Sequence, residues 1–195
     1  TGAYNILVGS LAGDALVSGD NNIVLGYNAM GAANGSESRN VAIGTSALAA
    51  MNNDASNYNI AIGYAAGMTV STGIQNTIVG AFAGDALSTG TRNVAMGYLA
   101  LSGEQTGNRN VAIGCDALLV ANNNANNYNT AVGDSAGEAV SSGTQNTIIG
   151  GLAGDALTTG SNNIIIGYAA AASAVDVSNE ITLGDANISA FRCAD

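Results

Sequence analysis

The chain has 195 residues with 14 acidic and 4 basic side chains, a formal net charge of −10, and no His, Pro or Trp. Nucleic acid and anionic membranes are bound through basic faces, so this balance predicts neither as a partner. The 27 Gly and 5% aromatic content suit thin, closely stacked layers rather than a thick core.

From the N-terminus onward one pattern recurs: an Asn, three small or apolar residues, a Gly, and an Ala three places further on. Its clearest copies are Asn76, Gly80 and Ala83; Asn93, Gly97 and Ala100; Asn110, Gly114 and Ala117; and Asn146, Gly150 and Ala153. The repeat Gly runs from Gly9 to Gly167 in steps of 17, 18, 19, 17, 17, 17, 19, 17 and 17 residues. Self-similarity at such a period marks a solenoid, each repeat forming one coil. Residues 1–170 read as a β-roll of ten coils, and residues 171–195 as a degenerate last coil around Gly184 followed by an exit segment. The two 19-residue steps lie 70 residues apart, and Arg39–Gly44 repeats as Arg109–Gly114. A block of four coils has been duplicated.

Each coil opens with a short strand predicted directly after the Asn. β-Branched residues such as Ile23, Val41, Ile60 and Val111 stand first, with Leu25, Ile43, Ile62 and Ile113 two places later. Alternation puts those pairs on one face and the residue between them on the other, where it is also apolar: Val24, Ala42, Ala61, Ala112. A strand apolar on both faces calls for cover on both. One face fills the interior of the coil, and the other is expected to meet further copies of the chain in a symmetric homo-oligomer.

The repeat Gly is expected to end the strand, by a positive φ or by admitting a neighbouring backbone, and the following Ala to fit a tight inner corner. The segment Gly84-Asp85-Ala86-Leu87 reads as outer and more polar. Gly19, Gly73, Gly90, Gly107, Gly143 and Gly160 close their coils with turns. The recurring Asn suggests an inward amide ladder bonding each coil to the next.

The two long coils carry the insertions Asn52-Asn53-Asp54-Ala55-Ser56-Asn57 and Asn122-Asn123-Asn124-Ala125-Asn126-Asn127. Insertions in a solenoid map to surface loops, often on its binding side. Asn52, Asn53, Asp54, Asn57, Asn122, Asn123, Asn124, Asn126 and Asn127 are therefore the candidate receptor contacts, for a cell-surface glycan or protein.

Enzymatic chemistry finds no support. There is no His or Lys, no paired nucleophile and base, and the carboxylates read as scattered over solvated turns. No catalytic residue, metal site or cofactor is predicted. Asp14, Asp85 and Asp155 share one repeat position, but a calcium cage needs several converging oxygens. Cys115 and Cys193 stand about four coils, roughly 19 Å, apart, too far for a disulfide within the chain. Arg39, Arg92 and Arg109 each precede a repeat Asn and read as charge relief against neighbouring acids. Tyr27, Tyr64, Tyr98 and Tyr168 follow a repeat Gly, while Tyr4, Tyr58 and Tyr128 precede a repeat Asn; they read as rings packed over coil edges with the hydroxyl wet, the alternative being stacking on the sugar rings of a glycan receptor. Thr residues form no regular Thr-x-Thr ladder, which weighs against an ice-binding solenoid. No apolar run is long enough to span a bilayer, and no signal peptide pattern stands at Thr1. The chain reads as a mature product or an excised segment.

The cores NVAIG at Asn40 and Asn110 and NIAIG at Asn59 resemble the head repeats of trimeric autotransporter adhesins. That resemblance implies a left-handed parallel β-roll of three intertwined chains, here with longer coils than the family's. The stretch Glu180-Ile181-Thr182-Leu183-Gly184 through Phe191-Arg192-Cys193 is similar to the segment that precedes a self-cleaving intramolecular chaperone in bacteriophage tail fibres. Together the resemblances imply an extracellular, non-enzymatic and homotrimeric fibre segment of a virion tail fibre or a cell-surface appendage, which attaches to a host.

Overall fold

Eleven three-residue strands carry the fold: β1 (Ile6–Val8), β2 (Ile23–Leu25), β3 (Val41–Ile43), β4 (Ile60–Ile62), β5 (Thr77–Val79), β6 (Val94–Met96), β7 (Val111–Ile113), β8 (Thr130–Val132), β9 (Thr147–Ile149), β10 (Ile164–Ile166) and β11 (Ile181–Leu183). The computed structural model describes residues 2–122 and 126–190. All eleven strands join one parallel sheet in chain order, and every strand begins one residue after the repeat Asn or its Glu180 counterpart. Equivalent residues pair without offset, as where Thr77, Ile78 and Val79 lie against Val94, Ala95 and Met96. The sheet therefore runs through the degenerate coil, since β11 pairs with β10 in the same register.

The middle residue of each strand points into the coil. Val24, Ala42, Ala61, Ile78, Ala95, Ala112, Ala131, Ile148 and Ile165 are all fully buried. Facing them stands the residue four places after the repeat Gly, and the two positions share one volume. Where the strand supplies Ala95 or Ala112, Leu101 or Leu118 fills the space, again fully buried. Where it supplies Ile78, the facing residue is Gly84, and a Cβ on neighbouring Gly67 would lie 2.9 Å from the Ile78 Cδ1. In the coils of Ala61 and Ala131, where the facing residues are Gly67 and Gly137, the space is taken by Ile78 and Ile148 of the next coil, which keeps the narrow interior close-packed. The expected inner corner is filled as read: Ala83, Ala100, Ala117 and Ala153 are fully buried.

One expectation is corrected. The segment after that corner is not outer. Gly84 and Leu87 are buried while Asp85 and Ala86 are half-exposed, because a turn that bonds the Leu87 N–H to the Gly84 carbonyl at 3.1 Å brings every third residue inward. Leu87 and Leu157 thus form a second apolar column.

At the strand ends the backbone is tightly constrained. The repeat Gly takes φ between 128° and 140° at Gly97, Gly114, Gly150 and Gly167. A Cβ on Gly97 would sit 2.3 Å from the Gly114 carbonyl oxygen of the next coil, so both anticipated reasons for Gly operate at once. Three further residues per coil take left-handed conformations, for example Gln75 (φ 62°), Phe82 (φ 56°) and Gly84 (φ 50°). The first two donate their N–H groups to the preceding coil, Gln75 to the Asn57 carbonyl at 2.8 Å and Phe82 to that of Tyr64 at 2.9 Å, and Gly84 donates to the Ala100 carbonyl of the next at 2.9 Å, which holds these corners in place.

Candidate functional site

The Asn column forms the ladder the repeat suggests. The Asn76 side-chain oxygen accepts the Asn93 N–H at 3.0 Å, and its amide donates to the Gly90 turn carbonyl at 2.9 Å. Asn93 does the same with Asn110 N–H and Gly107 at 2.9 Å each, and Asn146 with Asn163 and Gly160. These buried amides lock strand, turn and next coil together; none faces solvent.

The two inserted loops leave the N–H ladder intact, with Asn59 N–H on Asn40 Oδ1 at 3.1 Å and Asn129 N–H on Asn110 Oδ1 at 3.3 Å, but remove the turn carbonyl beside it. Asn57 is fully buried and stands two residues before its repeat Asn, where a regular coil has a turn glycine at three. Its side-chain oxygen replaces the missing turn carbonyl and accepts the Asn40 amide at 3.0 Å. Asn127 is equally buried, and its amide donates to Glu104 Oε2 at 2.7 Å. Asn57 and Asn127, expected as receptor contacts, are internal braces because the insertion pulls them into the core. Asn52, Asp54, Asn122 and Asn126 are exposed and Asn53 is half-exposed. Asn123 and Asn124 lie outside the described residues.

Beneath each loop lies a buried carboxylate, contrary to the reading of acids only on solvated turns. Glu37 Oε1 accepts the N–H groups of Asn53 at 3.2 Å and Asp54 at 3.4 Å, while Oε2 accepts that of Gly35 at 3.0 Å. Glu104 Oε1 accepts the N–H groups of Gln105, Thr106 and Gly107 at 3.1, 3.3 and 2.7 Å. In the regular coil before, the N–H groups of Ser88 and Thr89 find the Gln105 carbonyl of the next coil. Facing an inserted loop, this turn is satisfied by a carboxylate instead. A signal for Glu104 was present: it stands seven residues after Gly97, where the coils of Gly80 and Gly150 have Leu87 and Leu157.

The outward face of the sheet carries Val41 and Ile43, Ile60 and Ile62, Val94 and Met96, Val111 and Ile113 and their equivalents. They remain partly exposed: Ile60 38%, Ile62 37%, Met96 39% and Ile166 38%. The strip follows all eleven strands, apolar except where Thr77, Thr130 and Thr147 stand first in their strands, and measures about 50 Å by 10 Å at ordinary strand spacing and rise. All seven Tyr flank it, Tyr4, Tyr58 and Tyr128 on the side of the Asn ladder and Tyr27, Tyr64, Tyr98 and Tyr168 on the other. Tyr64, Phe82 and Tyr98 pack edge to face, with ring centroids 5.1 and 6.3 Å apart.

Arg39, Arg92 and Arg109 share the Asn-side border. Their expected relief by neighbouring acids is not found: no ion pair involves them among the described residues. Arg39 lies 5.5 Å from the Tyr58 centroid and bonds Ser56 Oγ through Nη1. Arg109 lies 5.3 Å from the Tyr128 centroid and bonds Asn126 Oδ1 through Nη1. Arg92 Nε donates to Gln75 Oε1 at 3.0 Å.

Asp85 is pushed above the usual carboxylate range by burial, partly offset by backbone N–H groups. The Cys115 thiol is raised by its hydrogen bond to Asp116 and then by burial and the nearby acids, which makes it a poor nucleophile. Cys193 lies outside the described residues. No three His, Cys, Asp or Glu side chains converge as metal ligands among the described residues, and no helix there is long and apolar enough to cross a membrane.

Comparison with protein-family models, with curated proteins and with solved structures finds no match to this chain. The fold itself defines the class: an all-β parallel β-solenoid with coils of about 17 residues.

Proposed function

We propose that the chain is a non-enzymatic segment of an adhesive fibre, a left-handed β-roll that assembles as an intertwined homotrimer and carries host attachment in a phage tail fibre. The observation that supports this most directly is the uncovered apolar strip on the outward face of the sheet. All-parallel sheets are covered on both faces, and monomeric proteins rarely expose contiguous apolar patches beyond a few hundred Å².

The reading places this rod outside the cell, on a virion or a cell-surface appendage, with the exposed residues of the two loops facing a receptor. The head of a bacterial trimeric autotransporter adhesin is the second reading, favoured by the NVAIG cores at Asn40 and Asn110. Ile113→Asp tests the assembly without disturbing the coil, because Ile113 is already 36% exposed in the single chain. Sedimentation is expected to show single chains for this variant and three-chain particles for the parent. Unchanged three-chain particles in Ile113→Asp would contradict the proposed interface.

A further inference from the structure

The three arginines of the Asn-side border are ordered by neutral partners, so their charge is left unneutralised in a molecule of net charge −10. Two of them belong to a constellation that occurs twice. Arg39, Ser56 and Tyr58 correspond to Arg109, Asn126 and Tyr128 at a separation of 70 residues. In each, the guanidinium lies over a Tyr ring and spends one Nη1 hydrogen bond on the inserted loop. The rest of the guanidinium fork is not used by any carboxylate of the described chain. Both rings are about half exposed, Tyr58 at 53% and Tyr128 at 50%.

From this geometry we infer two equivalent binding sites for an anionic glycan, one at Arg39 and Tyr58 and the other at Arg109 and Tyr128. The inference deepens the attachment role proposed above and rests on it for its setting. Arg presents a planar fork that matches carboxylate and sulfate oxygens, and ordering it before binding lowers the entropic cost of capture. The exposed ring edge offers an apolar surface to the C–H face of a sugar. The only loop carboxylate in the first site, Asp54, is turned back to the Ser36 N–H at 3.1 Å. Glu37 lies buried under the first loop and holds the Asn53 and Asp54 N–H groups, and Glu104 holds the Asn127 amide of the second; both act as positioning residues. Four strands separate the sites, about 19 Å along the axis. A polymer with repeated charges spans that distance, and the second contact is then made at high effective concentration.

The experiment is retention of the assembled protein on immobilised polygalacturonate, dextran sulfate and neutral dextran at 50 and 500 mM NaCl. Retention on one or both anionic polymers at low salt, released at high salt and absent on dextran, is expected; which polymer retains it identifies carboxylate or sulfate as the anion. Arg39→Gln/Arg109→Gln should bind at least about tenfold more weakly, whereas Arg92→Gln, which removes one charge of the same border outside the two Arg–Tyr pairs, should lose about threefold or less. Sedimentation of the same samples shows whether the variants keep their assembly, so failure of the glycan sites and failure of the fibre reading are separable. Arg39→Lys/Arg109→Lys keeps the charge and guards against a folding artefact; it should retain partial binding. No retention by the parent on either anionic polymer, equal retention by the double Gln variant, or an equal loss in Arg92→Gln would overturn the inference.

Discussion

At the scale of single residues, the repeat is governed by what fits between two coils stacked at strand spacing. The strictest site is the Gly that ends each strand. Gly97 takes φ 140°, and the Gly114 carbonyl of the next coil occupies the space a side chain would need. Gly97→Ala therefore combines backbone strain with a backbone clash and should lower unfolding stability by about 2–4 kcal/mol. Thermal melting would show it as a drop of several degrees, and an unchanged melting temperature would contradict the stacking described here. This requirement was legible in the sequence, as was the Asn ladder, because each occupies a fixed place in every coil. The buried role of Glu104 was less legible. A carboxylate in a Leu column violates ordinary burial preference and is tolerated only because three N–H groups and an Asn amide converge on it.

At the scale of the element, each three-residue strand has two apolar faces, and the sequence left open which one turns inward. Packing decides it. The middle residue shares its space with the position facing it and with the next coil, so Ala95 meets Leu101 and Ile78 fills the room left by Gly84 and Gly67, whereas the flanking pair stays partly exposed. The segment from Gly84 to Leu87 was misread because its inward residues recur every third place through turns, a spacing that strand alternation does not describe. The exit after Ala170 is held by a different device. Glu180 stands where the Asn ladder ends. Its N–H continues the ladder to Asn163 Oδ1 at 2.9 Å, while its carboxylate turns to the exit segment. The Ser173 hydroxyl, the Ser173 N–H at 2.9 Å and the Thr182 hydroxyl at 2.9 Å all donate to it, and they hold its carboxyl below the usual range. Because the folded-state value is depressed, this contribution is complete above the ordinary Glu value of 4.5 and is lost as the pH falls through the folded value. The melting temperature of Glu180→Gln should lie below that of the parent at pH 7, and the gap should close on acidification towards pH 3. A gap that stays constant across this range would contradict the assigned role.

At the scale of the whole molecule, eleven strands at one coil each build a stiff rod of about 50 Å. The parallel register leaves pairing edges only at its two ends. Duplication of the four-coil block lengthens the rod and repeats its surface features, which is why the two loops and their Arg and Tyr partners recur, whereas the carboxylates beneath them, Glu37 and Glu104, occupy different places in their coils. Coil number and coil length were legible because the Gly spacing records them directly. The arrangement of copies was not, since the strip that would join them is made of the same apolar residues as any strand. The central claim is that this strip is covered by two further copies. Its most direct test is the solution mass of the segment, followed by electrophoresis in hot detergent. A particle of three chains that resists dissociation is the predicted result. A clean single chain would contradict it, leaving the outward strip uncovered and moving a single-chain solenoid to the front.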